Sequence, residues 1–295
     1  MNSSPHNSHL TGIWTAGAGV LVLSFDALLV RLADAPAWDV VFWRGWFMFA
    51  SLFAVLAIRR SGQPIPSAWN HRIAALAVAV CMSINAIFFV LSVMTTRVAN
   101  TVVIFAIAPF FAAIFSRLFL KELVPLRTWI AIIVATLGVM VVFAGSMGKG
   151  NMTGDLLALL IAVSVGVSLT ILRRYPELQR IPLICGGGAI AGLVAWPFAD
   201  PFALSTTSYA TLAVMGLVQM PLALVMITSA TRHLPAPEVS LFILIETVMG
   251  PIWVWWVVGE QPPELTVLGG AGILAAITIN SVLTLRQLRG RKVGL

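Results

Sequence analysis

Apolar residues come in long blocks along this chain, with polar residues in short clusters between them. Ten blocks of 18–23 residues stand out, at 10–30, 37–58, 72–94, 98–120, 126–144, 154–172, 181–198, 209–230, 236–258 and 265–285. None holds more than two charged side chains. A helix of about 20 apolar residues crosses the roughly 30 Å of hydrocarbon in a bilayer, so each block predicts one membrane-spanning helix. The clusters between them include DAPAWD, RRSGQPIPS, GSMGKGNMT, DPFALSTTS and GEQPPE, all short and rich in Pro, Gly or Ser. None has room for a soluble domain. The pattern predicts an all-α membrane protein of ten transmembrane helices that works within the bilayer.

Composition agrees: with 59% hydrophobic and 10% charged residues, a soluble surface of this size could not be covered. The net charge of +7 changes the picture only through its distribution. Arg59, Arg60, Arg72, Arg117, Lys121, Arg127, Arg173, Arg174, Arg180, Arg232, Arg286, Arg289, Arg291 and Lys292 fall on the side of the N-terminus. Only Arg31, Arg97 and Lys149 fall on the other, and Arg44 lies inside a span. The positive-inside bias then puts both termini in the cytoplasm. The excess of base is a topology signal and a contact for anionic membrane lipids, with no nucleic-acid footprint. Residues 66–72 form a short amphipathic piece suited to the inner surface, anchored by Trp69. Cys81 and Cys185 both fall inside apolar blocks and are expected as free buried thiols. The start, MNSSPHNSHL, lacks a basic region before the first span, so that span is expected to be retained.

The chain also repeats. Thr11-Gly12 opens the first span as Thr153-Gly154 opens the sixth, an offset of 142 that also aligns Arg31 with Arg173. FLKELVPLRTW around Glu122 matches VVGEQPPELTV around Glu260 at an offset of 138. Five spans per half make the halves, 1–147 and 148–295, enter from opposite sides. Two inverted five-helix repeats are the plan of secondary transporters, which place the substrate at the midplane.

Arg44 in span 2, APFFAAIFSRLFLKE at 108–122 and ETVMGPIWVWWVVGE at 246–260 resemble the drug/metabolite transporter superfamily, in its ten-span form with two EamA-type halves. The resemblance covers essentially the whole chain. It implies a mid-helix Pro thirteen residues before a helix-ending Glu, which Pro109 and Glu122 match. In the second half Thr247 replaces that Pro and Pro251 follows one turn later, so the hinge is expected to be displaced there. The small bacterial exporters of amino acids and related metabolites are most similar. Alternating access, a multi-pass place in the bacterial inner membrane, and spans 1 and 6 lining the cavity follow as implications of the resemblance.

Polar groups inside the spans mark the candidate site. Glu246 lies about ten residues into span 9 and is expected near the midplane. Gln219 in span 8 and Asn85 in span 3 reach a similar depth, as do Pro109 and Pro221. A carboxylate at that depth costs at least about 2.5–3.5 kcal/mol and is read as functional. Glu246 is the candidate proton carrier or anchor for a substrate ammonium, since no basic residue shares its depth. For the two amides the competing reading is interhelical glue, worth about 0.6 kcal/mol each. Phe88 and Phe242 complete the substrate-binding candidates. Asp26 and Arg44, at equal depth near the outer ends of spans 1 and 2, are expected to pair, with Asp39 as the runner-up partner. That pair either fixes the two spans together or forms an outer gate. Pro109, Pro221 and Pro251 join it as gating candidates.

Other chemistries fall away. GSMGKG misses the phosphate-loop pattern, because Phe143 stands where a Gly is required and Gly150 follows Lys149. His6, His9, His71 and His233 all read as lying outside the spans, which leaves no zinc site or serine–histidine pair. No catalytic group, metal or cofactor is expected. The competing class is a lipid-handling or scaffold membrane protein without solute turnover, and the oligomeric state is left open.

Overall fold

The computed structural model describes residues 5–59, 69–95, 101, 104–143, 151–258 and 264–293. Arg60, residues 66–68, Arg97, Lys149 and Glu260 lie outside these, as do the side chains of Arg31 and Pro251. Every regular element among the described residues is helical. Seven helices there are long and apolar enough to cross a membrane, and three shorter apolar ones run over Ala108–Leu120, Leu126–Gly138 and Ala271–Arg286.

In chain order the helices are α1 (Pro5–Leu23), α2 (Asp26–Ala33), α3 (Ala37–Arg59), α4 (Trp69–Thr95) and α5 (Ala108–Phe115). A π-helical turn, Ser116–Leu120, extends α5, and α6 (Leu126–Phe143) follows. Next come α7 (Met152–Arg174), α8 (Arg180–Ala195) and α9 (Thr206–Val214). A second π turn, Met215–Gln219, joins α9 to α10 (Met220–Ala230), and α11 (Ala236–Ile243), α12 (Ile245–Val258) and α13 (Glu264–Val293) complete the chain. Local chemistry sets several ends. Asn151 caps α7 by accepting from the Thr153 amide at 3.0 Å, and Ser205 caps α9 through the Ser208 amide at 3.1 Å. Asp34, at φ 41°, ends α2 in the left-handed region that Asp tolerates.

Lipid tails give helices no hydrophobic reason to associate, so close backbone approach through small residues has to hold them. The crossing of α3 and α8 shows this: a Cβ on Gly45 would meet Gly188 O at 2.7 Å and Gly192 N at 2.8 Å. Elsewhere α4 packs on α7, α1 on α10, α6 on α13, and α5 on both α7 and α11. A Cβ on Gly19 would stand 3.0 Å from Ile227 Cγ1, so α1 and α10 are equally tight. The main core gathers Val20, Ala112, Ala162, Ala223, Ile227 and Leu241 from five helices.

Candidate functional site

Three spans break in their middles. Between α1 and α2 the chain turns at Ser24–Phe25. The carbonyls of Val22 and Leu23, freed by that turn, accept from the Gln219 side-chain amide at 3.2 Å each. Ser24 Oγ donates to Leu21 O at 2.7 Å and accepts from the Trp253 indole at 2.8 Å. The second break is at Ile107, whose amide reaches back only three residues, to Ile104 O at 3.1 Å. The third is at Leu244, whose amide likewise reaches Leu241 O at 3.1 Å. Ile107 and Leu244 are 137 residues apart, one short of the spacing between the two Glu motifs. Span 9 therefore breaks at Leu244, ahead of Glu246, while the resemblance expects a hinge at Pro251. Leu244 marks the break because its carbonyl takes both the amide and the hydroxyl of Thr247, at 3.2 and 2.7 Å.

These breaks create helix starts inside the membrane. Asp26 is the first residue of α2 and Glu246 the second of α12. The unpaired amides and the dipole of a helix N-terminus favour a carboxylate there, which offsets part of the burial cost.

A cavity opens between these starts. Spans 1, 3, 4, 6, 8 and 9 contribute to its wall, and α3 joins them through Arg44 and Met48. Most of the lining is apolar, with Met82, Phe89, Phe105, Val165, Met220 and Ile243 prominent. Four strongly polar groups interrupt it: Asp26, Arg44, Asn85 and Glu246. Arg44 donates from Nη1 to Asp26 Oδ2 at 3.4 Å and from Nη2 to Met220 Sδ at 3.2 Å. The two charged residues are 2% and 7% exposed, so the ion pair is buried. Asp26 Oδ1 and Asn85 Oδ1 have no partner among the described residues. Glu246 lies within electrostatic reach of both Asp26 and Arg44.

That last point corrects the depth estimate. Counting residues along straight helices separates Glu246 from the Asp26–Arg44 pair and leaves it with no base nearby. The turns at Ser24–Phe25 and Leu244 shift the register of both spans, and all three charges face one cavity. Asp39 is not the partner of Arg44; its Oδ1 accepts from the Asp200 amide at 2.7 Å.

The remaining candidates sit off the cavity wall. Gln219 ties the end of α1 as described. Phe242 is buried in the main core, and Phe88 packs against that core and its neighbour. Phe89, one residue and about 100° further round α4, is the aromatic that lines the cavity. Pro109 lies buried in the first turn of α5, and Pro221 follows the π turn at the start of α10.

Two buried polar groups are invisible in the hydropathy pattern. Arg180 is buried and donates to Leu172 O at 3.0 Å, Pro176 O at 3.0 Å, Thr231 Oγ1 at 3.1 Å and Leu178 O. It ties the end of α7 to the end of α10. His9 lies inside α1 and not outside the spans; its Nε2 contacts Glu238 Oε2 at 3.1 Å. Beside them Arg173 bonds Glu122 at 3.1 Å and Thr231 O at 3.3 Å.

Known proteins share this sequence and fold. Over 277 residues, 90% of this chain and 94% of the other, it is 26% identical to the pseudopaline exporter CntI of Pseudomonas aeruginosa. It is 28% identical over 170 residues to the transporter YdfC of Bacillus subtilis (strain 168). That match spans 55% of this chain and 56% of YdfC. One protein crystal structure superposes with a TM-score of 0.78 over 92% of this chain and 98% of its own. At 14% identity that likeness speaks for the fold alone. The EamA-like transporter family matches residues 10–144 and again 152–282, so the chain belongs to that family and is a membrane transporter.

Proposed function

We propose that this protein is a secondary transporter that exports small amphiphilic metabolites carrying an amino group, neutral and aromatic amino acids foremost, by alternating access. One observation carries the reading: Glu246 opens onto an apolar-walled cavity at a helix break, beside a buried ion pair. Apolar walls with a few placed polar groups suit an amphiphilic solute. The relative CntI is by name an exporter, which supports outward movement.

The two inverted halves, 1–147 and 148–295, rock about this site. Exchanging the halves turns the α4–α7 contact into the α10–α1 contact and leaves α3–α8 and α6–α13 unchanged in kind. That invariance supports the repeat. The ties made by Arg173, Arg180 and His9 all lie at the basic, cytoplasmic end. They are the contacts that release when the cavity opens inward. Glu246 carries a proton or a substrate ammonium in turn.

Solute counterflow in proteoliposomes tests the reading. Vesicles preloaded with unlabelled amino acids and amines should accumulate the labelled solute transiently. No counterflow for any solute, together with lipid movement between leaflets, would instead identify a lipid-handling protein. Labelling of a cysteine placed at Asp200 should occur from outside only; labelling from the cytoplasm overturns the orientation.

A further inference from the structure

With both of its acids ionised, the cavity is one positive charge short. Three formal charges line it: the carboxylates of Asp26 and Glu246 and the guanidinium of Arg44. Arg44 is bonded to Asp26, so it compensates one carboxylate and leaves the other. An uncompensated charge in a dry, apolar setting is costly, and a ligand that supplies the missing charge removes that cost.

Hydrogen-bonding capacity points the same way. Asp26 Oδ1, 98% shielded with the rest of its side chain, has no partner among the described residues, and neither has Asn85 Oδ1. Glu246 lines the same cavity and brings two carboxylate oxygens to it as acceptors. The two hydroxyls on the wall spend their hydrogens within their own helices. Ser168 donates to Val165 O at 3.0 Å and Thr228 to Leu224 O at 2.6 Å. Arg44 has Nη1 on Asp26 and Nη2 on Met220. Arg44 and the Asn85 amide can donate, so the groups left open to a cationic donor are the carboxylate oxygens of Asp26 and Glu246. An ammonium group is the matching chemistry, with three N–H donors and no acceptor.

Resting on the transport reading but replacing its amino-acid substrate, we propose that the ligand is a primary amine with an aromatic or other apolar body and no carboxylate, its ammonium set against Glu246. An amino acid brings its own carboxylate, which leaves the cavity one charge short and has to draw Arg44 away from Asp26. A carboxylate-free amine has neither problem. Its body meets Met48, Met82, Met220, Phe89 and Phe105. Thioether side chains are unbranched and polarisable, so they adapt to bodies of different shape and make favourable contacts with aromatic rings.

Three probes of nearly equal size separate the charges: phenethylamine, phenylalanine and 3-phenylpropionate. Binding is measured on the purified full-length protein in nanodiscs at fixed pH, and counterflow on the same protein in vesicles. Phenethylamine should bind at least about tenfold more tightly than phenylalanine, and 3-phenylpropionate should not compete. In Glu246→Gln, phenethylamine affinity should fall by at least about tenfold while phenylalanine loses less, because the wall is then neutral. Phenylalanine binding as tightly as phenethylamine, or an unchanged amine affinity in Glu246→Gln, overturns the proposal, as does no binding by any probe. If that variant does not fold, the wild-type ranking decides alone. Counterflow with phenylalanine but not phenethylamine sinks the amine assignment and leaves transport standing. Absence of counterflow for every solute sinks the transport reading itself.

Discussion

Removing Arg44 should harm this protein more than removing its partner, and the cavity says by how much. At 3.4 Å the gross attraction within the pair is about 5 kcal/mol for an effective dielectric near 20. Desolvation opposes most of that, so the pair itself is a weak stabiliser. Deleting one member is different, because it strands the other, at about 3–5 kcal/mol. Arg44→Ala strands two carboxylates, since Glu246 also lies within reach of Arg44. Asp26→Ala strands no charge outright, because Arg44 keeps Glu246 as a neighbour. Its loss should be nearer the 1–3 kcal/mol of an unmade buried hydrogen bond. Thermal unfolding of detergent-purified protein, followed by size-exclusion fluorescence, reads both. Arg44→Ala should unfold at clearly lower temperature than Asp26→Ala, and Asp26→Asn with Arg44→Gln should recover part of the loss. The gap between the single variants should shrink in a Glu246→Gln background. Equal and additive losses for Arg44→Ala and Asp26→Ala would show that the three charges do not share one field.

Gly45→Ala should cost about 1–3 kcal/mol of stability, because its Cβ would press on Gly188 O and Gly192 N, backbone that cannot rotate away; an unchanged unfolding temperature would deny that α3 and α8 touch. Arg180→Lys should lose about 2–3 kcal/mol by replacing a planar fork with a point charge among several carbonyls, while leaving phenethylamine affinity as it was. Burial first, and then Arg232 and Arg173, hold His233 below the ordinary imidazole range. The unfolded chain therefore takes up this proton first on acidification, so the stability involved is intact above pH ~6.5 and lost as pH falls through the folded value. Unfolding temperature should drop more between pH ~7.5 and ~5.5 in the wild type than in His233→Gln, and equal drops would refute the assignment.

The seven long apolar helices among the described residues were legible because hydrocarbon leaves the backbone so few choices. A segment that cannot hydrogen-bond water must satisfy itself as a helix, and its length and apolarity then suffice to find it. The breaks were not legible, for a related reason. Ser24–Phe25 carries neither Pro nor Gly, and its freed carbonyls are satisfied from far along the chain, by Gln219. Leu244 breaks on the strength of Thr247, a residue that sits in many unbroken helices. Pro251, the residue that advertises a hinge, stands seven residues away from it. Breaks made by tertiary partners leave no local signature.

The site inherits that blindness. Asp26 and Arg44 could be paired from sequence because a short connection joins two spans at matching depth, and geometry does the rest. Glu246 could be singled out because a lone carboxylate is costly in hydrocarbon. Their meeting in one cavity could not be read, since it depends on both broken spans starting afresh there. Those starts do more than move the residues. Each break puts a carboxylate in the first turn of the helix that follows it, Asp26 in α2 and Glu246 in α12, where the helix dipole favours a negative charge. The interrupted ladder thus supplies the polarity that lets two acids stand in an apolar wall with one base between them. It is that arithmetic, two acids and one base, that leaves room for a cationic ligand, and it exists only where the helices fail to continue.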